Sequence, residues 1–86
     1  MIQAVGEKVS VIASCSQPSG RVVPHRLRWC GRTITLTKLG LHHPVREGRR
    51  LYHVFSVSDG TTDYRLKLET ETLHWVLEEI SDGLAA

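Results

Sequence analysis

The chain has 86 residues, of which 41% are hydrophobic and 23% charged, and its formal net charge is +2. This size fits one domain, 1–86, while the composition excludes a disordered chain and a collagen-like sequence. No apolar run approaches the roughly 18 residues that span a membrane, and the first residues lack the features of a signal peptide, so we expect a cytoplasmic protein with no membrane partner.

The first strand is predicted at Lys8–Ser14, where valine and alanine alternate with polar residues. Ser, Pro and Gly then cluster at residues 15–20, which is typical of a loop. No internal repeat or linker follows, and turn signals recur every ten to twenty residues, a spacing typical of one all-β domain.

A two-residue hairpin is predicted at Cys30 and Gly31, because glycine readily adopts a positive φ. This corner separates an apolar surface from a polar one, and a slip of one residue would mix the two. The pairs are Trp29 with Arg32, Leu27 with Ile34 and His25 with Leu36 on the apolar surface, and Arg26 with Thr35, Arg28 with Thr33 and Pro24 with Thr37 on the polar surface. Pro24 should therefore lie near a strand end or edge.

A second hairpin is predicted at Asp59 and Gly60, a dipeptide typical of a tight turn. The expected core-facing pairs are Val57 with Thr62, Phe55 with Tyr64, His53 with Leu66 and Leu51 with Leu68. The expected outer pairs are Ser56 with Asp63, Val54 with Arg65, Tyr52 with Lys67 and Arg50 with Glu69.

Two further segments complete the chain. Residues 40–50 are predicted to be the longest irregular segment, which would act either as an anion-binding loop or as a mobile basic connector. Residues 72–80 fit a helix or a strand, and we favour a strand because residues 70–72 resemble a short hairpin loop. The predicted fold is all-β, a single antiparallel meander of five or six strands that curls into an SH3-like or partly open barrel.

The spacing of several residues resembles a small bacterial all-β domain family of unknown function. The matching residues are Arg26, Leu27, Trp29, Gly31 and Arg32 in the first hairpin, Tyr52 and Tyr64 in the second, and Thr72, Trp75 and Leu77 near the end. The resemblance implies a closing strand at residues 72–80. It also implies a nucleic-acid or DNA-repair context, since such domains are sometimes encoded or fused beside error-prone DNA polymerases.

Charge is divided unevenly along the chain. Residues 21–50 carry eight Arg and Lys against one Glu, whereas residues 51–86 carry two against seven acidic residues. Such asymmetry suggests an anionic partner, or packing of one half against the other.

The leading hypothesis is a noncatalytic module that binds nucleic acid through Arg26, Arg28, Arg46, Arg49 and Arg50. The alternatives are a protein-interaction module or homodimer, and a solvated face that prevents aggregation of strand edges.

An enzyme or metal-binding domain is the third hypothesis. No serine, histidine and acid arrangement, phosphate-binding glycine loop or paired-carboxylate motif is present, so we predict no catalytic residue and no cofactor. Cys15 and Cys30 are expected to be reduced thiols. The adjacent His42 and His43 would need Cys15, Cys30 or His25 to converge with them to bind zinc, so no metal site is assigned.

Overall fold

The computed structural model describes residues 2–17 and 19–81. They form seven strands: β1 (Ile2–Ser16), β2 (Arg21–Trp29), β3 (Arg32–Thr35), β4 (Lys38–Glu47), β5 (Arg50–Ser58), β6 (Asp63–Glu69) and β7 (His74–Ser81). All neighbours are antiparallel, in one sheet ordered β3-β2-β1-β7-β6-β5-β4. The predicted all-β antiparallel meander is confirmed. The strands number seven instead of five or six, however, and the sheet is not closed into a barrel.

The β2–β3 hairpin has the predicted register. Four pairs agree with the sequence analysis: Arg26 with Thr35, Leu27 with Ile34, Arg28 with Thr33 and Trp29 with Arg32. Cys30 and Gly31 form the corner with φ values of 53° and 72°. Two consecutive left-handed residues are the signature of a type I′ turn, whose twist matches that of the flanking strands.

The β5–β6 hairpin differs from its predicted register by two residues. Phe55 pairs with Leu66 instead of Tyr64, and the connection contains four residues, 59–62. Asp59 explains the longer loop, because its Oδ1 accepts hydrogen bonds from the backbone N–H groups of Thr61 (2.9 Å) and Thr62 (2.8 Å). A shift of two preserves the face of every side chain, so the predicted core surface is retained.

Residues 38–47 are a strand, so the prediction of an irregular segment at 40–50 was wrong. β4 pairs with β5 from Lys38 to Glu47 and ends in a tight turn at Gly48 and Arg49. Its pairing shifts between Leu39 and His42, so Gly40 and Leu41 lie in a β-bulge. A bulge reverses the alternation of side chains along the strand. In addition, β4 is an edge strand with few buried residues. Both features weaken the alternating hydrophobic pattern by which a strand is recognised in the sequence.

The other end of the sheet also contains a bulge. Pro24 is buried inside β2 and lies beyond Arg26, the last β2 residue that pairs with β3, so β2 is locally an edge there, as predicted, although Pro24 is not at the end of the strand. The β1–β2 register shifts at this place between Ile12 and Ala13. The bulge accommodates a residue that has no N–H to donate to the ladder. The predicted closing strand is confirmed by β7, which follows a loop at residues 70–73.

Most of the hydrophobic core lies on one surface of the sheet, which we call the inner surface. On the opposite, outer surface, Tyr52 and Val54 are also buried, although they were expected in outward-facing pairs. The core residues are Leu27, Ile34, Leu36, Phe55, Val57, Tyr64, Leu66 and Leu77. The first three come from the β2–β3 half and the others from β5, β6 and β7, so the sheet curls until its two halves share one core. Within the described residues, no helix is long and apolar enough to cross a bilayer.

Candidate nucleic-acid interface

Arg26 and Arg28 lie on the outer surface of β2, two residues apart and both exposed. Their position follows from the hairpin register, because the intervening Leu27 is fully buried in the core and side chains alternate along a strand. The spacing along the strand places the two Cα atoms about 7 Å apart. The type I′ turn thus fixes two guanidinium groups on one rigid ribbon.

Hydroxyl groups flank this arginine pair. Thr35 and Thr33 are its partners on β3, and Ser10 is the partner of Arg28 on β1. We call the whole set the hairpin face, and it consists of the exposed residues Lys8, Ser10, Ile12, Arg26, Arg28, Thr33 and Thr35. Guanidinium, ammonium and hydroxyl groups are the side-chain donors that proteins use to contact phosphate oxygens.

The two halves of the outer surface differ in how their cations are neutralised. Arg65 forms ion pairs with Glu78 (3.5 Å) and Glu79 (3.8 Å), and Lys67 forms ion pairs with Glu78 (3.9 Å) and Glu47 (4.0 Å). The bulge at Glu78 in β7 places both glutamates beside Arg65. Among the described residues, none of the ion pairs uses a cation of the hairpin face.

The other three predicted arginines form a separate group around the β4–β5 turn. Arg46 lies near the end of β4, Arg49 in the turn and Arg50 at the start of β5. Four strands separate β4 from β2 in the sheet order. The hydroxyl of Tyr52, together with Glu71 and Glu69, raises the pKa of Arg50. The structure therefore brings Arg26 and Arg28 together and places Arg46, Arg49 and Arg50 elsewhere, with carboxylates close to Arg50.

Two of the histidines are in direct contact, which the sequence analysis missed. Nε2 of His42 lies 2.9 Å from Nδ1 of His53, and the ring of His42 stacks on Phe55. Because residues 40–50 were predicted to be a loop, no strand register was expected there, and no signal in the sequence could pair these two residues. His53 is half-buried on the predicted core-facing surface. His25 was predicted on the apolar surface, but it is exposed because it lies in the β1–β2 bulge, and its Nε2 is hydrogen-bonded to the Ser14 hydroxyl at 2.7 Å.

The remaining candidate chemistry is sparse. Cys15 and Cys30 are both free and exposed. No group of three or more histidine, cysteine, aspartate and glutamate side chains that could hold a metal ion occurs within residues 2–17 and 19–81. The two tryptophans, Trp29 and Trp75, are half-buried and pack against the core.

No family model, curated protein or solved structure matches this chain. The resemblance to a family associated with error-prone polymerases stays a prediction. The hairpin face and the histidine pair are consequently the two features from which chemistry can be argued.

Proposed function

We propose that this protein is a noncatalytic module that binds the phosphate backbone of nucleic acid through the hairpin face. The observation that carries the proposal is the pairing of Arg26 and Arg28 with flanking hydroxyls, outside the ion pairs of the described residues. A cation without a carboxylate neighbour attracts an anionic ligand without first breaking an internal contact. Arg65 and Lys67, by contrast, are already compensated.

The chemistry of the hairpin face favours contact with the backbone over reading of bases. Its donors suit phosphate oxygens, and the face contains no aromatic side chain on which a base could stack. Ile12, which is 62% exposed, is the one large apolar group among them. Binding would therefore depend on electrostatic attraction and would show little sequence preference.

The proposed context is that of a bacterial accessory domain in the cytoplasm, as the resemblance to polymerase-associated domains implies. A protein-interaction role or a homodimer is the less favoured proposal. The edge strand β4 carries a bulge, Pro44 and several basic residues, features that discourage pairing with another strand.

Titration of labelled duplex DNA, single-stranded DNA and RNA at several salt concentrations tests the proposal. We expect the affinity to fall steeply with salt, with a slope of log K against log salt of about −0.9 for each duplex phosphate neutralised. The double variant Arg26→Gln/Arg28→Gln should reduce that slope by about 2. The variant Arg46→Gln/Arg49→Gln measures whether the β4–β5 turn contributes.

Arg65→Gln is the matched control, because it removes an exposed arginine whose charge is already paired. It should leave both affinity and slope unchanged. Absence of binding to all three nucleic acids at low salt would exclude the proposal. An equal loss for Arg65→Gln and the double variant would assign binding to net charge alone.

A further inference from the structure

His42 and His53 are cross-strand neighbours whose ring nitrogens face each other. His42 is a residue of β4 and His53 of β5, and Nε2 of the first lies 2.9 Å from Nδ1 of the second. The ring centroids are 5.1 Å apart, with an angle of 46° between the ring planes. The contact arises from the bulge at Gly40 and Leu41, which sets the register in which His42 pairs with Phe55.

One face of the exposed His42 side chain packs against the core. It stacks on Phe55 with centroids 4.3 Å apart and 13° between planes, and Phe55 itself is fully buried. A core aromatic cannot move without disturbing its packed neighbours. This stacking limits the motion of the His42 ring on one side, while its exposed side leaves the ring able to turn towards a bound ion.

The distance between the two nitrogens matches a particular coordination geometry. Imidazole nitrogens bind transition metals at about 2.0–2.1 Å, so two ligands at a right angle lie about 2.9 Å apart, whereas two ligands at a tetrahedral angle lie about 3.3 Å apart. We propose that Nε2 of His42 and Nδ1 of His53 form a two-nitrogen chelate for Cu²⁺ or Ni²⁺. Both ions favour right-angled nitrogen and oxygen coordination, and water would complete the coordination.

The exchange of the hydrogen bond for the metal requires no net loss of a proton. In the neutral pair, one facing nitrogen carries the shared hydrogen. Once each ring carries its hydrogen on the remote nitrogen, Nδ1 of His42 and Nε2 of His53, both facing lone pairs are free to bind the ion.

This site differs from the zinc site considered from the sequence. A structural zinc ion takes four protein ligands, and the described residues contain no group of even three candidate ligands. Adjacent His43 cannot join, since it pairs with Val54 on the opposite surface of the sheet. The partner of His42 is instead eleven residues away in sequence and on the neighbouring strand.

Titration of the untagged full-length chain with Cu²⁺ at neutral pH tests the chelate, after the exposed thiols of Cys15 and Cys30 have been alkylated so that they neither bind nor reduce the ion. We expect one strongly bound ion whose electron paramagnetic resonance spectrum shows coupling to two imidazole nitrogens. His42→Gln and His53→Gln should each lower the affinity at least about tenfold, since loss of a direct ligand costs no less than loss of an outer-shell partner. His43→Gln is the control and should bind within about twofold of the wild type.

A second measurement needs no variant and so does not depend on whether the substitutions fold. Substoichiometric Cu²⁺ should broaden the imidazole NMR signals of His42 and His53 before those of His25, His43 and His74. Broadening that begins at any other histidine would overturn the proposal. So would an equal loss of affinity in His43→Gln and His42→Gln, or a wild-type affinity equal to that of the His42→Gln/His53→Gln variant.

Discussion

At the scale of single residues, Asp59 joins the β5–β6 loop to the start of β6. Its Oδ2 accepts a hydrogen bond from the hydroxyl of Tyr64 at 3.0 Å, in addition to the three hydrogen bonds that Oδ1 accepts within the loop. The backbone N–H groups of Thr62 and Thr61 lower the pKa of Asp59 to about 2. Burial, followed by Asp59, raises the pKa of Tyr64.

The lowered pKa of Asp59 predicts a specific dependence of stability on pH. Because the folded pKa is depressed below the ordinary value of 3.8, Asp59 stabilises the fold above about pH 4, and this contribution is lost as the pH falls towards 2. Asp59→Ala should cost about 1–2 kcal/mol at neutral pH, measured by urea unfolding. The difference between wild type and variant should shrink at pH 2–3, whereas a difference independent of pH would contradict the assignment. Asp63→Asn, at the first position of β6, is the control.

At the scale of secondary-structure elements, the β2–β3 hairpin shows where the sequence was sufficient. A two-residue corner leaves one possible register, so Leu27 could be paired with Ile34 and Arg28 with Thr33 before any coordinates. For the β5–β6 hairpin the predicted register was wrong, because the length of its loop is determined by a side chain and not by the backbone alone. Competition between a tight Asp-Gly turn and an aspartate-capped loop depends on contacts with Tyr64 that the local sequence does not reveal.

The corner of the β2–β3 hairpin contains Cys30, whose replacement by glycine or asparagine should stabilise the fold. Cys30 has a φ of 53°, a region that costs a residue with a Cβ about 1–2 kcal/mol and that asparagine tolerates best after glycine. Cys30→Asn should raise the free energy of unfolding by about 0.5 kcal/mol. Cys30→Ala keeps the strain and serves as the matched comparison in thermal unfolding. Equal stability of the two variants would show that the turn is not strained.

The β2–β3 hairpin also carries the candidate nucleic-acid interface, so its predictable register made part of that interface predictable. Arg26 and Arg28 were assigned to one surface because strand alternation follows directly from the register. Arg46 and Arg49 were grouped with them because the sequence gives no distance between a loop and a distant strand. Likewise, the contact of His42 with His53 depends on the bulge in β4, which no periodic pattern indicated.

At the scale of the whole molecule, the two halves of the curled sheet are stabilised by one shared core. An 86-residue domain of this kind has about 5–10 kcal/mol of net stability, and its largest fully buried side chains are Phe55, Leu27, Leu66 and Leu77. Leu27 comes from one half and Leu66 from the other. Loss of either should therefore destabilise both halves together.

Leu66→Ala and Leu27→Ala should each lower the free energy of unfolding by about 2–5 kcal/mol, because a cavity replaces a fully buried side chain. Leu41→Ala is the matched control, since Leu41 is 67% exposed and its truncation should cost less than about 0.5 kcal/mol. Urea unfolding followed by tryptophan fluorescence and by circular dichroism should give coincident transitions. Separate transitions would show that the two halves unfold independently.

The pairing of β1 with β7 also determines when the protein can complete its fold during synthesis. Residues 2–9 of the first strand find their partners only among residues 75–81 of the last. A ribosome-bound nascent chain must therefore hold one edge of β1 open until translation has passed β7. The hairpins can form earlier from local contacts, but the closing step spans most of the chain and should be the slow one.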